Sequence, residues 1–174
     1  MRITNVHERT MAVPADRLGE LLNTLSSDND LFWPHENWSA IRFDRPLQVG
    51  ATGGHGTGPY TITSFAPGRH IRFDFVGGRR NGFHEFEIRP LVGGSSLLRH
   101  SLDAQLPLRS LYLWYATIRP LHDALLEDLL DKVEGQVGHV ARPQVWSSRV
   151  IRLRRQRGMP AAKRDISADV ALAS

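Results

Sequence analysis

An α+β fold, in which a curved antiparallel sheet wraps a long C-terminal helix, is what the sequence predicts. Three observations carry it. The stretch from Pro107 to about Val137 puts Leu111, Tyr115, Ile118, His122, Leu125, Leu129 and Val133 on one stripe at helical spacing, with Asp123, Glu127, Asp131 and Glu134 opposite. What precedes it is rich in short strand-like runs separated by turns. Finally, Phe83–Leu91 and Ser95–Ala104 flank the three-residue loop Val92-Gly93-Gly94, which suits a hairpin. Its register pairs Ile88 with Leu98, Phe86 with His100 and His84 with Leu102 on one face. On the other face Glu87 meets Arg99 and Glu85 meets Ser101. Strands joined by hairpins make an antiparallel sheet whose inner face the helix must cover. Any room left between sheet and helix is a pocket.

In chain order, Ile3–Met11 reads as the first strand, and Pro14–Leu25 as a helix with Leu18, Leu21, Leu22 and Leu25 on one side. Asp28–Trp38 is aromatic and interrupted by Pro34, hence a loop or a single helical turn. Ser39–Asp44 is a short strand. Gly50–Phe65 resembles a phosphate loop only in its glycines: no Lys-Ser/Thr follows, and the continuation is β-like, so a strongly bent strand is expected. Ala66-Pro67-Gly68 is a turn. Arg69–Val76 is a strand with Ile71, Phe73 and Phe75 on one face, and Gly77–Gly82 is a turn that carries Arg79 and Arg80 into solvent. Pro107 suits the first helical position. Pro120 sits mid-helix, where it removes a backbone hydrogen bond, so a kink is expected between Ala116 and Pro120.

Composition bounds the function. The 174 residues include no cysteine, which excludes disulfides, thiol chemistry and cysteine metal sites. No apolar run approaches the roughly 20 residues of a membrane span, and the start MRITNVHERT lacks a signal-peptide core, so a cytoplasmic protein is expected. Residues 1–139 hold 14 Lys+Arg against 16 Asp+Glu, a net of −2, whereas residues 140–174 hold 8 against 2, a net of +6. The basicity belongs to the tail, and the folded part makes no case for nucleic acid. The expected division is a ligand-binding domain over 1–139 and a basic extension over 140–174.

The arrangement of FHEFEIRPL, SSLLRHSLDA and RPLHDALLEDLLDKVE resembles the START-related SRPBCC superfamily of polyketide cyclase/dehydrase and lipid-transport proteins. The resemblance covers about residues 1–139 and rests on the pattern of strands and helix. It implies the helix-grip fold: six or seven antiparallel strands around the C-terminal helix, with an apolar cavity between. The activities it implies run from aromatase/cyclase and dehydratase chemistry to binding and transfer of lipids and hormones, and fold membership does not choose among them. No catalytic residue is carried over from the family.

The residues themselves nominate a site. His84 and His100 lie on the core-facing side of adjacent strands, and His122 is central to the helical stripe; Tyr115, two turns earlier, could join them. Neutral imidazoles and a phenol in an apolar pocket can polarise a ligand carbonyl or shuttle a proton. Taken singly, each histidine reads more readily as a core residue bonded to a carbonyl or hydroxyl; three on one face bring pocket lining level with that reading, and catalysis less so. Trp33, Trp38, Tyr60, Ile62, Phe73, Phe75, Phe86 and Ile118 are the expected apolar contacts, the two tryptophans as a lid or as a plug at the open end of the sheet. His55 reads as a surface residue. No cofactor is expected. Three histidines have the right donors for zinc, but three distant segments give no sign of the tight geometry, so no metal is expected either.

The function this supports is binding of a small, largely apolar ligand, with cyclase- or dehydratase-like chemistry as one outcome. The competing readings are a non-enzymatic lipid or isoprenoid carrier and an interaction module whose concave face is filled. In the tail, Trp146, Val150 and Leu153 follow helical spacing among arginines, a pattern that can meet an anionic membrane or an acidic partner. A solvated extension is the plainer expectation there. Oligomeric state is not legible.

Overall fold

The computed structural model describes residues 1–55, 58–77, 81–138, 140 and 142–163. Arg79, Arg80 and the tail beyond Lys163 lie outside the described residues. Strand β1 (Arg2–Met11) leads into helix α1 (Ala15–Leu22), and six strands follow: β2 (Arg42–Phe43), β3 (Thr52–His55), β4 (Gly58–Ala66), β5 (His70–Phe75), β6 (Asn81–Pro90) and β7 (Ser96–Gln105). Then come α2 (Leu108–Leu113), a π-helical turn (Trp114–Ile118), α3 (Arg119–Val137) and α4 (Ser148–Gln156). The seven strands form one antiparallel sheet in the order β1-β7-β6-β5-β4-β3-β2. With the long helix across its inner face, this is the expected α+β helix-grip architecture.

The β6–β7 register is the one the sequence predicts, with Ile88 opposite Leu98, Phe86 opposite His100, His84 opposite Leu102 and Glu87 opposite Arg99. The stretch Gly50–Phe65 departs from expectation. It is not one bent strand but the two strands β3 and β4, paired Gly54 to Pro59 and His55 to Gly58. The expected strand over Ser39–Asp44 shrinks to Arg42–Phe43, which lies against Gly54 and Gly53. The glycine explains the closeness: a Cβ on Gly53 would fall 1.9 Å from the Arg42 carbonyl oxygen. Gly53→Ala is expected to cost about 2 kcal/mol or more by forcing β2 away. Urea unfolding measures this, and an unchanged midpoint would overturn it.

The interrupted helix follows from Pro120. Its ring nitrogen cannot donate to the Ala116 carbonyl, and the chain widens into a π turn just upstream. The Arg149 guanidinium of α4 takes over as donor, to the carbonyl oxygens of Tyr115 (3.1 Å) and Ala116 (2.9 Å). Pro107 is the residue before the helix rather than its first.

The acidic side of α3 does not face only water. Inward-facing residues of β1 meet it: Asn5 donates to Asp123 (2.9 Å), and the Arg9 guanidinium contacts Glu127 (3.0 Å), Asp131 (2.7 Å) and Glu134 (2.8 Å). The apolar side packs into a core that includes Leu18, Leu22, Phe32, Ile41, Ile62, Leu98, Leu129 and Val133, all fully shielded from solvent.

The solvated-extension expectation is corrected over residues 142–163. Trp146, Val150 and Arg154 are buried, and Leu153 is half-buried against the core, so the apolar residues that would enter a membrane face the protein instead. Arg154 is enclosed completely. Its guanidinium lies 4.4 Å from the Trp38 ring and 3.9 Å from that of Trp146, and donates to the carbonyls of Asn37 (2.8 Å) and Pro160 (2.7 Å). A periodicity count treats that arginine as solvated, because it cannot see two indole faces waiting for a cation.

Candidate functional site

The β6–β7 register turns His84 and His100 to the inner face of neighbouring strands, and α3 lowers His122 onto them two residues after Pro120. The three rings form a nearly equilateral triangle, with centroids 5.2 Å (His84–His100), 5.4 Å (His84–His122) and 5.3 Å (His100–His122) apart. His84 Nδ1 and His100 Nε2 share a hydrogen bond of 3.0 Å, so one ring donates and the other accepts. His100 Nδ1 and His122 Nδ1 are buried without a hydrogen-bond partner among the described residues. Aromatic rings surround the group: Tyr60, Phe73 and Phe75 around His84, Phe86 against His100, and Trp114 beside His122.

This enclosure sets the charge state. Burial, followed by repulsion from His55, pushes the His84 imidazole down to about 3. Burial first and neighbouring histidines second hold His100 and His122 well below the ordinary histidine range. Burial lowers His55 to about 4. All four are therefore neutral at pH 7. His7 on β1 goes the other way. Burial opposes its protonation, but hydrogen bonds to Asp123 (3.1 Å) and Glu127 (2.7 Å) outweigh that and raise its pKa.

Beside the triad, between sheet and helix, lies a cavity of about 390 Å³. His84 and His122 stand in its wall; His100 lies behind them. Of the expected apolar contacts, Trp38, Tyr60, Phe75 and Ile118 line it. Ile62, Phe73 and Phe86 do not reach the space; they are buried in the core behind it. Trp33 is also core: its indole donates to the Ser39 carbonyl (2.9 Å) and its ring packs 4.8 Å from His55. The aromatic loop is thus a plug in which only Trp38 touches the cavity. It is held by Asp30, whose carboxylate accepts from the amides of Ser26, Phe32 and Trp33, and by the buried Lys132 ammonium, which donates to the carbonyls of Asp30 and Trp33.

Tyr115 is the clear correction. It is 52% exposed and faces an outer groove lined by Arg119, Asp123, Glu127 and Arg149, away from the histidines. The π turn inserts one extra residue, so the stripe upstream of Ile118 shifts by one position and Trp114 takes the inward place. A proline in a long helix with a tryptophan one step off the stripe is the signal that could have located Trp114. His55, expected at the surface, lines the cavity, and its ring lies 3.3 Å from the Tyr60 hydroxyl. Arg157 and Met159 of the tail also reach the cavity wall. No local pattern in the sequence points to those two. Asp103, at the end of β7, pairs with Arg2 outside the cavity.

No protein-family model matches the sequence, and no curated protein does either. Solved structures do match the fold. CalU16 from Micromonospora echinospora is similar with a TM-score of 0.56 and 16% identity, over 89% of this chain and 83% of that one. Norcoclaurine synthase from Thalictrum flavum, solved with dopamine and hydroxybenzaldehyde, matches with a TM-score of 0.61 and 12% identity, over 79% and 87%. The Aha1 protein from Colwellia psychrerythraea, a dimer in solution, matches with a TM-score of 0.54 and 14% identity, over 78% and 99%. At such identities the likeness is one of fold: the chain has the helix-grip α+β fold of these structures.

Proposed function

We propose that the protein binds a small, largely apolar molecule bearing a carbonyl group, and that the histidines act on that carbonyl in a cyclase- or dehydratase-like reaction. One observation carries the reading: a largely apolar cavity of about 390 Å³ with neutral imidazoles in its wall. That volume falls at the lower end of small-molecule sites, which are concave, apolar and furnished with a few polar groups that fix orientation. The solved relatives include a synthase bound to two aromatic molecules, which supports an aromatic or polyketide-like ligand.

The chemistry follows from the charge state. A neutral imidazole N–H can donate to a ligand carbonyl oxygen and polarise it. A neighbouring imidazole nitrogen can then accept the proton from the adjacent carbon, leaving an enolate beside an imidazolium. Burial disfavours the imidazolium alone, so this transfer is productive only when the enolate forms next to it and the two charges compensate. In ring closure the enolate carbon attacks a second carbonyl of the ligand and the imidazolium returns the proton to the alkoxide formed there; in a dehydration it gives the proton to the departing hydroxyl. His84 and His100, sharing a hydrogen bond, can spread the proton over two rings.

Native mass spectrometry of the gently purified full-length protein, with its organic extract analysed in parallel, tests the reading. A retained apolar carbonyl compound is the expected result. A protein that is empty and also ignores a panel of aromatic polyketides and lipids would overturn it. With a bound compound in hand, His122→Ala should abolish its turnover while circular dichroism stays unchanged; a protein that only carries its ligand would merely bind it more weakly.

A further inference from the structure

We infer that His84, His100 and His122 form a binding site for a single zinc ion, with its fourth coordination position open to the cavity. The assignment rests on where the three imidazoles stand and not on the ligand reading, so either can fail alone; with the ion bound, the trio's coordinating nitrogens are taken, and the proton transfer described above belongs to the ion-free protein.

The geometry comes first. Zinc–nitrogen bonds of about 2.0–2.1 Å in a tetrahedral arrangement set the ring centroids of three histidine ligands about 5.2 Å apart. The observed separations are 5.2, 5.4 and 5.3 Å. One ring nitrogen from each histidine lies within 4.8 Å of the corresponding atoms of the other two. The shortest edge, His84 Nδ1 to His100 Nε2, is 3.0 Å, close to the roughly 3.3 Å between two ligand atoms on tetrahedral zinc. That hydrogen bond is what two such ligands make when no ion lies between them, and the ion takes its place once the donor ring carries its proton on its other nitrogen.

The scaffold fits as well. The three ligands project from β6, β7 and α3, regular elements fixed by sheet pairing and core packing, which is the kind of support a metal site needs. The distances between these segments along the chain hide the cluster from a reading of the sequence. On the helix side, His122 Nδ1 is shielded from solvent and has no hydrogen-bond partner among the described residues, an uncommon condition for an imidazole nitrogen in a native core. A second group, His7, His122 and Asp123, has comparable spacing, but His7 is already bonded to both Asp123 and Glu127. Among the described residues, the trio's hydrogen bond is the internal one between His84 and His100.

The coordination pattern indicates a role. Structural zinc sites are closed by four protein ligands, whereas reactive ones have three and leave a position for water or substrate. Here the trio supplies three nitrogens, and His84 and His122 both stand in the cavity wall. An ion there presents its free position to whatever occupies the cavity, where it can hold a ligand oxygen.

Titration of the chelator-treated, dialysed full-length protein tests the site, with zinc followed by calorimetry and cobalt(II) by its visible absorption. The expected result is one equivalent of zinc per chain at micromolar or tighter affinity, and strong visible bands from tetrahedral cobalt. Affinity should fall by about a hundredfold or more in His100→Gln and in His122→Phe, since each removes one of three ligands. The second variant keeps a ring in the core, and thermal unfolding checks that both are folded. His35→Ala, which removes an imidazole that contacts the Trp33 carbonyl and Lys132, should bind as the parent does. Failure of the folded parent to bind stoichiometric zinc would overturn the site, and so would binding that both triad variants retain.

Discussion

Asp128→Ala is expected to destabilise the protein by about 3–5 kcal/mol, the range typical for removing one partner of a buried charge pair. The Asp128 carboxylate is the point at which α3, the aromatic loop and the tail are tied together. Its Oδ2 accepts from the indole N–H of Trp38 (2.7 Å) and of Trp146 (2.9 Å), and Lys163 Nζ lies 2.5 Å from Oδ1. Truncation leaves two buried indole donors unpaired and a partly covered ammonium with only the more distant Asp131 carboxylate, 4.0 Å away, as its counter-ion. Arg154, stacked on both indoles, loses its place as the rings reorient. The effect should therefore exceed simple loss of the side chain, and it should couple strongly to changes at Arg154. Asp128→Asn keeps one acceptor oxygen and should cost less. Urea unfolding measures the loss. Limited proteolysis provides a second readout, because release of the tail exposes the 142–163 segment to cleavage. A loss below about 1 kcal/mol would mean that the tail is not anchored through this carboxylate.

The sheet was legible because its signals are local. The Glu87–Arg99 and Phe86–His100 pairs follow from a glycine loop and strict alternation, and the structure reproduces them residue for residue. From that register alone His84 and His100 had to share a face, and the helical stripe brought His122 to the same side. What the sequence could not reveal depends on contacts between distant segments. Tyr115 and Trp114 exchange roles because a π turn adds one residue upstream of Pro120, which no fixed helical period anticipates. The tail looked solvated because arginine counts as polar, yet Arg154 is enclosed between Trp38 and Trp146. The division of the aromatic residues between cavity and core failed for a related reason. Ile62, Phe73 and Phe86 do point inward, but the cavity occupies only the part of the sheet nearer Tyr60, Phe75 and Leu102. Alternation identifies the inner face and is silent on how far along it the packing is complete.

Stability is expected to fall steeply as the pH drops below about 6.5, because four histidines are folded in their neutral form. His84 is held to about 3 and His55 to about 4, while His100 and His122 lie well below the ordinary range, each chiefly through burial. In the unfolded chain each takes up a proton near pH 6.5, while the folded protein takes none until the pH is far lower. Between those limits the unfolded state binds more protons, so stability rises with pH across the window and is lost as the pH falls. For His84 alone the loss is about 2 kcal/mol at pH 5. His7 opposes the trend. Its raised pKa, due to Asp123 and Glu127 against the burial penalty, contributes stability that is fully present below about 6.5 and fades as the pH rises. One such group against four leaves the balance destabilising in acid. Urea unfolding between pH 7.5 and 5, with a chelator so that only protons are exchanged, should give a slope equivalent to several protons. His84→Phe, which puts a ring among Tyr60, Phe73 and Phe75, should flatten that slope by about 1.4 kcal/mol per pH unit. A profile that stays level from pH 7.5 to 5 would mean that the histidines are solvated in the folded state, and the neutral polar end of the cavity, on which the carbonyl chemistry depends, would not exist.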